Sequence, residues 1–183
     1  CNGMIYRGTN GSAGDVGHIC VDPAGERCHC GNQGCVEIMA AGPAIARQGT
    51  EAANAGKSPQ LAQVLAANGV ITPEDVGQAS RGGDVAANAI IKLSGKLIGQ
   101  MLASVVNFFN PSHVFIAGRI SRIGPMFLAA IRQSIYQRSL PLSTRHLEIL
   151  YAPLGNRAGV IGCAVMAFQE TLRVRGVLNG ARP

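Results

Sequence analysis

Four potential metal ligands lie close together in the first fifth of the chain. Cys28, Cys30 and Cys35 follow His18, and two glycines stand between the last two cysteines. Three thiolates and one imidazole are the ligand set of a closed, structural zinc site. The glycines allow the backbone to turn tightly enough for the sulfur atoms to converge. The spacing therefore predicts a zinc loop over residues 18–35.

The same cysteines could instead form disulfides or remain buried free thiols. The chain has 183 residues, 47% of them hydrophobic, and is large enough to fold without a disulfide framework. Cys20 is a competing zinc ligand, because residues 18 and 20 would share one face of a strand. Cys163 is interpreted as a buried free thiol, and a buried free thiol is also the alternative to a zinc ligand at Cys20.

Composition limits the classes of protein that this chain can belong to. The length predicts one domain, with at most a small insertion. The high apolar fraction excludes an intrinsically disordered chain. The net charge is +6, but the basic residues are scattered, and three tyrosines and five phenylalanines are few for a surface that stacks bases. No apolar run reaches about 18 residues, so no membrane-spanning helix is predicted.

From Val114 onward a strand, a glycine turn, a helix, a strand and a helix follow one another, which predicts an α/β fold. Helix caps are predicted at Ser58, at Asp84 and in a Thr72–Asp75 capping box, and Asn110 should end the longest helix. The predicted strands are Met4–Tyr6, His18–Val21, Val114–Ala117 and Leu147–Tyr151. The predicted helices cover 37–47 with an interruption at Pro43, 58–67, a helix beginning at 72, 84–109, 124–138 and 158–172.

The segment Leu61–Ser80 has the rhythm of a DNA-reading helix-turn-helix. Its second helix opens with Glu74 and Asp75, and carboxylates at that position repel phosphates. The segment is therefore predicted to be a pair of packed helices.

The segment Gly11–Glu37 resembles the ROK family of sugar kinases, repressors and uncharacterised open reading frames. The family pattern is a glycine-rich lead, E-x-G-H, and then C-x-C-G-x-x-G-C-x-E. Here it stands as Asp15-Val-Gly-His18 followed by Cys28-His-Cys30-Gly-Asn-Gln-Gly-Cys35-Val-Glu37. A weaker likeness in Asn110–Gly118 and Gly155–Gly162 extends the resemblance over most of the chain.

The resemblance implies an actin-like, ribonuclease-H-like α/β domain of the sugar-kinase type, truncated at its N-terminal side and carrying a zinc loop. It implies that His18 and the three cysteines bind zinc, and that Asp15, His18 and Glu37 bind sugar. A metal-bound imidazole is held rigid and can offer its other nitrogen to a hydroxyl group. Carboxylates accept paired hydrogen bonds from vicinal hydroxyls.

Four departures from the kinases bear on catalysis. Position 15 is Asp instead of Glu, and the Gly-Gly nucleotide turn is Ala117-Gly118-Arg119, which leaves Gly118 as a weak nucleotide-binding residue and disfavours ATP. The D-x-G-x-T phosphate loop and the Asp-Asn pair that supplies the catalytic base are absent from these 183 residues. The chain starts at Cys1 without an initiator methionine, so it is expected to be either processed or a piece of a longer protein, and the resemblance implies that both elements lie upstream.

Residues 1–172 are therefore interpreted as the C-terminal sugar-binding domain of a cytoplasmic ROK-type transcriptional regulator, and residues 173–183 as a flexible tail. The G-D-V-G-H form, Tyr136–Leu142 and Arg157–Gly159 favour the regulator. The alternatives are the C-terminal part of an ATP-dependent sugar kinase and a non-catalytic zinc-stabilised module. The expected partners are a sugar or sugar phosphate, DNA only through a domain outside this chain, and further copies of the chain that cover an unpaired sheet edge.

Overall fold

A computed structural model describes residues 5–174, and the statements below refer to that range. It contains eight α-helices and two strands. The helices are α1 Val36–Ala40, α2 Gly42–Asn54, α3 Pro59–Asn68, α4 Pro73–Arg81, α5 Val85–Phe109, α6 Pro125–Arg138, α7 Pro141–Thr144 and α8 Ala158–Val174, and the strands are β1 His113–Ile116 and β2 Glu148–Tyr151.

The predicted helix caps are present and join neighbouring helices. The Ser58 hydroxyl accepts a hydrogen bond from the Leu61 backbone N–H at 3.1 Å and donates to the Asp84 carboxylate at 2.6 Å. Asp84 in turn accepts the Ala87 backbone N–H at 2.9 Å, which caps α5. Both cap residues are buried, so the starts of α3 and α5 are fixed to each other. The capping box at the start of α4 is also confirmed.

The core lies where α5 packs against α6. Gly95 and Gly99 allow the close approach, because a Cβ on either would lie 2.6 Å from an atom of α6. Phe127 and Ile131 of α6 are fully buried there. By length and composition α5 is apolar enough to cross a membrane, but half of its most apolar window is buried inside the fold, as expected of a core helix.

The predicted helix-turn-helix segment is a pair of packed helices, as expected. Leu61 of α3 and Val76 of α4 are both fully buried in the core that α5 and α6 share. The capping box begins α4 with two acidic residues in its first turn.

The described sheet has two parallel strands and one covered face. Val114 pairs with Ile149 in the register, and both pack toward the core. Phe115, on the opposite face, is 53% exposed. Parallel sheets are normally covered on both faces, so this face is unusually open. The apolar side chains of α8 are also exposed, with Phe168 at 72%.

Several predicted elements differ from the structure. Ile5 and Tyr6 form no strand, and His18 ends a short 3₁₀ turn instead of beginning a strand. The predicted 37–47 helix is two helices that separate at Ala41, since Pro43 fits the first turn of α2.

Three further expectations concern the ends of the chain and two thiols. Met4 of the first predicted strand lies outside the described residues. So do residues 175–183 of the predicted tail, whereas α8 continues to Val174. Cys163 and Cys20, interpreted as buried free thiols, are both exposed.

Candidate metal centre

Backbone hydrogen bonds fold residues 18–35 back on themselves. Val21 N–H donates to the Gly34 carbonyl at 2.8 Å, and Gly34 N–H donates to the Glu26 carbonyl at 2.8 Å. A tight turn follows Cys28, where Gly31 N–H donates to the Cys28 carbonyl at 3.0 Å. The backbone of the loop is therefore closed on itself, with Cys28 and Cys30 at its turn and Cys35 paired with Cys20 at its base.

Gly34 is the position at which the loop depends on glycine. Its φ is +67°, in the left-handed region, and a Cβ built there would lie 1.6 Å from the Asp22 carbonyl oxygen. Only glycine allows the two sides of the loop to approach so closely. Gly31 also has a positive φ of +93°, but its Cβ position faces open space.

His18, Cys28, Cys30 and Cys35 converge as the spacing predicts. Their four ligand atoms all lie within 4.8 Å of one another. A tetrahedral zinc ion needs ligand atoms about 3.5–3.8 Å apart. The Cys30 and Cys35 sulfurs are 3.7 Å apart, and His18 Nδ1 is 3.6 Å from the Cys28 sulfur. The donor set and the spacing both fit a metal ion with tetrahedral coordination.

The pKa values of the two thiols at 3.7 Å are shifted in opposite directions. The backbone N–H of Asn32 lowers the pKa of Cys30. Burial raises the pKa of Cys35 to about 12, and the hydrogen-bonded thiols of Cys30 and Cys28 contribute. The Cys35 thiol donates to the His18 backbone carbonyl at 3.4 Å. Without a metal, Cys35 therefore keeps its proton at neutral pH, and a metal ion must displace it.

The second ring nitrogen of His18 faces two carboxylates. Nε2 is 3.6 Å from Glu37 Oε2 and 3.9 Å from Asp15 Oδ2. These gaps are too long for direct hydrogen bonds, so the carboxylates remain free to accept bonds from another molecule. The absence of a side chain at Gly17 leaves room for them, because a Cβ there would lie 3.2 Å from Glu37 Oε2. All three groups are partly exposed to solvent.

Two side chains from neighbouring helices anchor the loop. Arg47 of α2 donates to Glu26 Oε1 at 2.7 Å, to Glu51 Oε1 at 3.0 Å and to the Ile38 carbonyl of α1 at 3.3 Å. Gln100 of α5 donates to the Val21 carbonyl at 3.0 Å. The loop and the helix that carries Glu37 are thereby held to the same scaffold. The sequence motifs do not indicate Arg47 or Gln100, because their partners are distant in the chain.

The remaining predicted site residues lie elsewhere. Cys20 is not among the four converging ligands. Gly118 follows β1 with a φ of +81°, and a Cβ there would meet open space. The adjacent Arg119 forms an ion pair with Glu74 of α4 at 3.5 Å. The turn at Gly118 thus lies beside β1 and contacts α4 through Arg119, and it contributes no residue to the four converging ligands.

Among families of known proteins, the model of the ROK family matches residues 1–170 of this chain. A glucokinase from Halalkalibacterium halodurans is 38% identical over 92% of this chain and 52% of its own length. The DNA-binding transcriptional dual regulator NagC of Escherichia coli is 34% identical over 98% of this chain and 41% of its own length. The chain therefore spans about half the length of the curated relatives it matches.

The fold agrees with that match. A ROK family glucokinase from Streptomyces griseus, solved in complex with glucose and AMPPNP, aligns with a TM-score of 0.79. The two are 33% identical, and the alignment covers 91% of this chain and 55% of that one. The described residues thus have the actin-like α/β fold that the resemblance implies, with a cysteine and histidine cluster able to hold a metal. On its sequence and its fold, the chain belongs to the ROK family.

Proposed function

We propose that this chain is the carbohydrate-sensing part of a cytoplasmic ROK-type transcriptional regulator, with a structural zinc ion. The orientation of His18 carries the proposal. Its Nδ1 faces the thiols, while its Nε2 faces Glu37 and Asp15. A metal on Nδ1 fixes the proton on Nε2. That N–H and the two carboxylates then present one donor and several acceptors to the hydroxyls of a sugar.

The donor set supports zinc as the metal. Three sulfur atoms and one imidazole nitrogen select a soft or borderline ion, and four protein ligands leave no open position for catalysis. The residues that would hold it are His18, Cys28, Cys30 and Cys35. The ion would supply rigidity and orient the imidazole of His18.

The turn at Gly118 supports a regulator over a kinase. Glu74 lies 3.5 Å from the Arg119 guanidinium, and its carboxylate neutralises that charge beside the turn. With its charge neutralised, the Arg119 guanidinium attracts the phosphates of a nucleotide less strongly. DNA would then be bound by a domain outside these 183 residues, as the name of the NagC relative indicates for that protein.

The alternative is the C-terminal part of an ATP-dependent sugar kinase, which the 38% identity to a glucokinase supports. Its phosphate loop and catalytic base would have to lie outside the 183 residues. The sequence of the rest of the protein distinguishes the two functions. A winged helix-turn-helix indicates a regulator, and an intact D-x-G-x-T loop indicates a kinase.

Sugar binding is expected to depend on Glu37. Ligand-observed NMR with glucose and N-acetylglucosamine should detect binding to the zinc-loaded chain. Glu37→Gln should weaken it about tenfold or more, since a hydrogen bond to a charged group contributes about 1.5–3 kcal/mol. Zinc content should be unchanged, because Glu37 is not a metal ligand.

The control Glu170→Gln alters an exposed acid of α8 and should leave binding unchanged. Equal binding by the Glu37 and Glu170 variants would contradict the carbohydrate site.

A homo-oligomer remains a prediction that follows from the open sheet face. Phe115 and Phe168 are more than half exposed, and a second copy could cover such apolar surface. Sedimentation velocity at micromolar concentration should give a mass above that of one chain. Phe168→Ser should shift the distribution toward the monomer. A wild-type protein that sediments as a stable monomer would refute this prediction.

A further inference from the structure

Cys20 lies directly opposite Cys35 in an isolated antiparallel bridge. The flanking hydrogen bonds run from Val21 N–H to the Gly34 carbonyl at 2.8 Å and from Val36 N–H to the Ile19 carbonyl at 2.9 Å. Cys20 and Cys35 are therefore a non-hydrogen-bonded pair.

In a non-hydrogen-bonded pair the Cα atoms are about 4.5 Å apart and both side chains leave the same face of the ladder. Disulfides form across Cα separations of about 4.4–6.8 Å. The backbone is thus already placed for a bond between these two residues.

The two thiols of the pair differ in accessibility. Cys35 is fully buried, and its sulfur belongs to the metal cluster. Cys20 is exposed, and its sulfur is not among the four converging ligands. A metal ion would protect the sulfur of Cys35 while leaving that of Cys20 open to solvent. Within the pair, an oxidant in solution therefore meets Cys20 first.

We propose that Cys20 and Cys35 form a redox pair in which oxidation of Cys20 displaces the metal from the loop.

Hydrogen peroxide is the oxidant in this reaction. The Cys20 thiolate attacks one peroxide oxygen, the O–O bond breaks, and the products are a sulfenic acid and hydroxide. The Cys35 thiolate, which the metal would hold deprotonated, then attacks the Cys20 sulfur, and its bond to the metal would break. The S–S bond forms, the S–O bond breaks, and hydroxide leaves and takes up a proton to become water. Two electrons pass from the two sulfurs to the peroxide.

Formation of this disulfide removes one of four ligands from the metal. His18, Cys28 and Cys30 remain, and a structural zinc site with three protein ligands binds the ion less tightly than a closed one. The metal is then released and His18 is no longer held. Loss of sugar affinity on oxidation would follow, and that consequence alone depends on the proposed function. Metal release and the identity of the disulfide do not depend on it.

Cys30 is the competing partner, because its sulfur lies 3.7 Å from that of Cys35. Both of those sulfurs belong to the metal cluster, whereas the sulfur of Cys20 does not. The disulfide that forms distinguishes the two routes. With Cys20 as the first site, the product is Cys20–Cys35 and Cys20→Ser slows zinc release. With Cys30 as the first site, the product is Cys30–Cys35 and Cys20→Ser leaves the rate unchanged.

The test uses the zinc-loaded full chain treated with hydrogen peroxide. Zinc release is followed with a chromogenic chelator, and the disulfide is identified by mass spectrometry of peptides from alkylated, unreduced protein. The expected products are free zinc and a Cys20–Cys35 peptide, and reduction with dithiothreitol should restore zinc binding. Cys20→Ser should release zinc at least about tenfold more slowly, since it lacks the accessible thiol. Cys163→Ser, which removes another exposed thiol, should release zinc at the wild-type rate.

Zinc loss from Cys20→Ser at the wild-type rate would overturn the proposal. So would a wild-type peptide map that contains Cys30–Cys35 without Cys20–Cys35, or a Cys20 sulfinic acid with zinc retained. If Cys20→Ser does not fold, the wild-type peptide map decides between the routes by itself.

Discussion

Removal of the metal is expected to unfold residues 18–35 and to lower the thermal midpoint of the protein by about 8–16 °C. A ligand present at a thousand times its Kd stabilises the folded state by about 4 kcal/mol. For a chain of this size each kcal/mol corresponds to about 2–4 °C. Cys28→Ser should have the same effect, because Cys28 is a buried ligand whose sulfur lies 3.6 Å from His18 Nδ1. Calorimetry with and without a chelator measures the change.

Cys163→Ser is the matched control, since Cys163 is an exposed cysteine outside the ligand cluster. Its melting temperature should remain sensitive to the chelator, as in the wild type. Hydrogen exchange should show that the lost protection is concentrated in the loop and in the adjoining Val36. Val21 of the loop and Val36 both pack against Leu97 of α5. Freshly purified protein that contains no zinc and melts identically with and without chelator would refute the structural metal site.

Acid should weaken the same metal site. The pKa of Cys35 is raised to about 12 by burial and by its thiol neighbours, so this group carries a proton at neutral pH in the metal-free chain. Zinc displaces that proton, and the affinity therefore falls about tenfold per pH unit for each proton released as the pH is lowered. Titrations between pH 6 and pH 8 measure the slope. A pH-independent affinity would mean that Cys35 does not bind the ion as a thiolate.

Gly34→Ala is expected to abolish tight metal binding and to lower the free energy of unfolding by about 3 kcal/mol or more. The new Cβ would lie 1.6 Å from the Asp22 carbonyl oxygen, so the two sides of the loop must separate. That separation moves Cys35, the next residue, away from the other ligands. Zinc stoichiometry and denaturant unfolding of the purified variant measure both effects.

Gly31→Ala separates the clash from the backbone strain. Gly31 also has a positive φ, +93°, but no atom lies within 4 Å of its Cβ position. Alanine there should cost only the strain of the left-handed conformation, about 1–2 kcal/mol. The variant should still bind one zinc ion. Equal losses in Gly31→Ala and Gly34→Ala would mean that the close approach to Asp22 is not what holds the loop together.

Local physical chemistry made much of the fold predictable from the sequence. The caps at Ser58, Thr72 and Asp84 begin their helices as expected, because a side chain satisfies the first backbone N–H groups whatever surrounds it. The 3.6-residue periodicity of α5 predicted its length for the same local reason. The convergence of four residues able to hold a metal was predictable because their chemistry and spacing are both encoded within eighteen consecutive residues.

The errors lie where short segments depend on distant partners. His18–Val21 has the composition of a strand, but it pairs only at Cys20 with Cys35, because the closed loop supplies one bridge and no continuous neighbour. The burial of Cys163 was wrong since α8 exposes most of its apolar side chains. A sequence pattern marks an apolar face but does not identify what covers it.

The sequence by itself determined the types and order of the candidate metal ligands and the family to which the chain belongs. Only the tertiary structure decided how these groups face one another. The two nitrogens of His18 are equivalent in the sequence, but the fold directs Nδ1 to the thiols and Nε2 to Glu37 and Asp15. It also brings Arg47 to Glu26 and places Cys20 opposite Cys35. The last two relations join residues 21 and 15 positions apart in the sequence, and packing, rather than local chain geometry, brings such residues together.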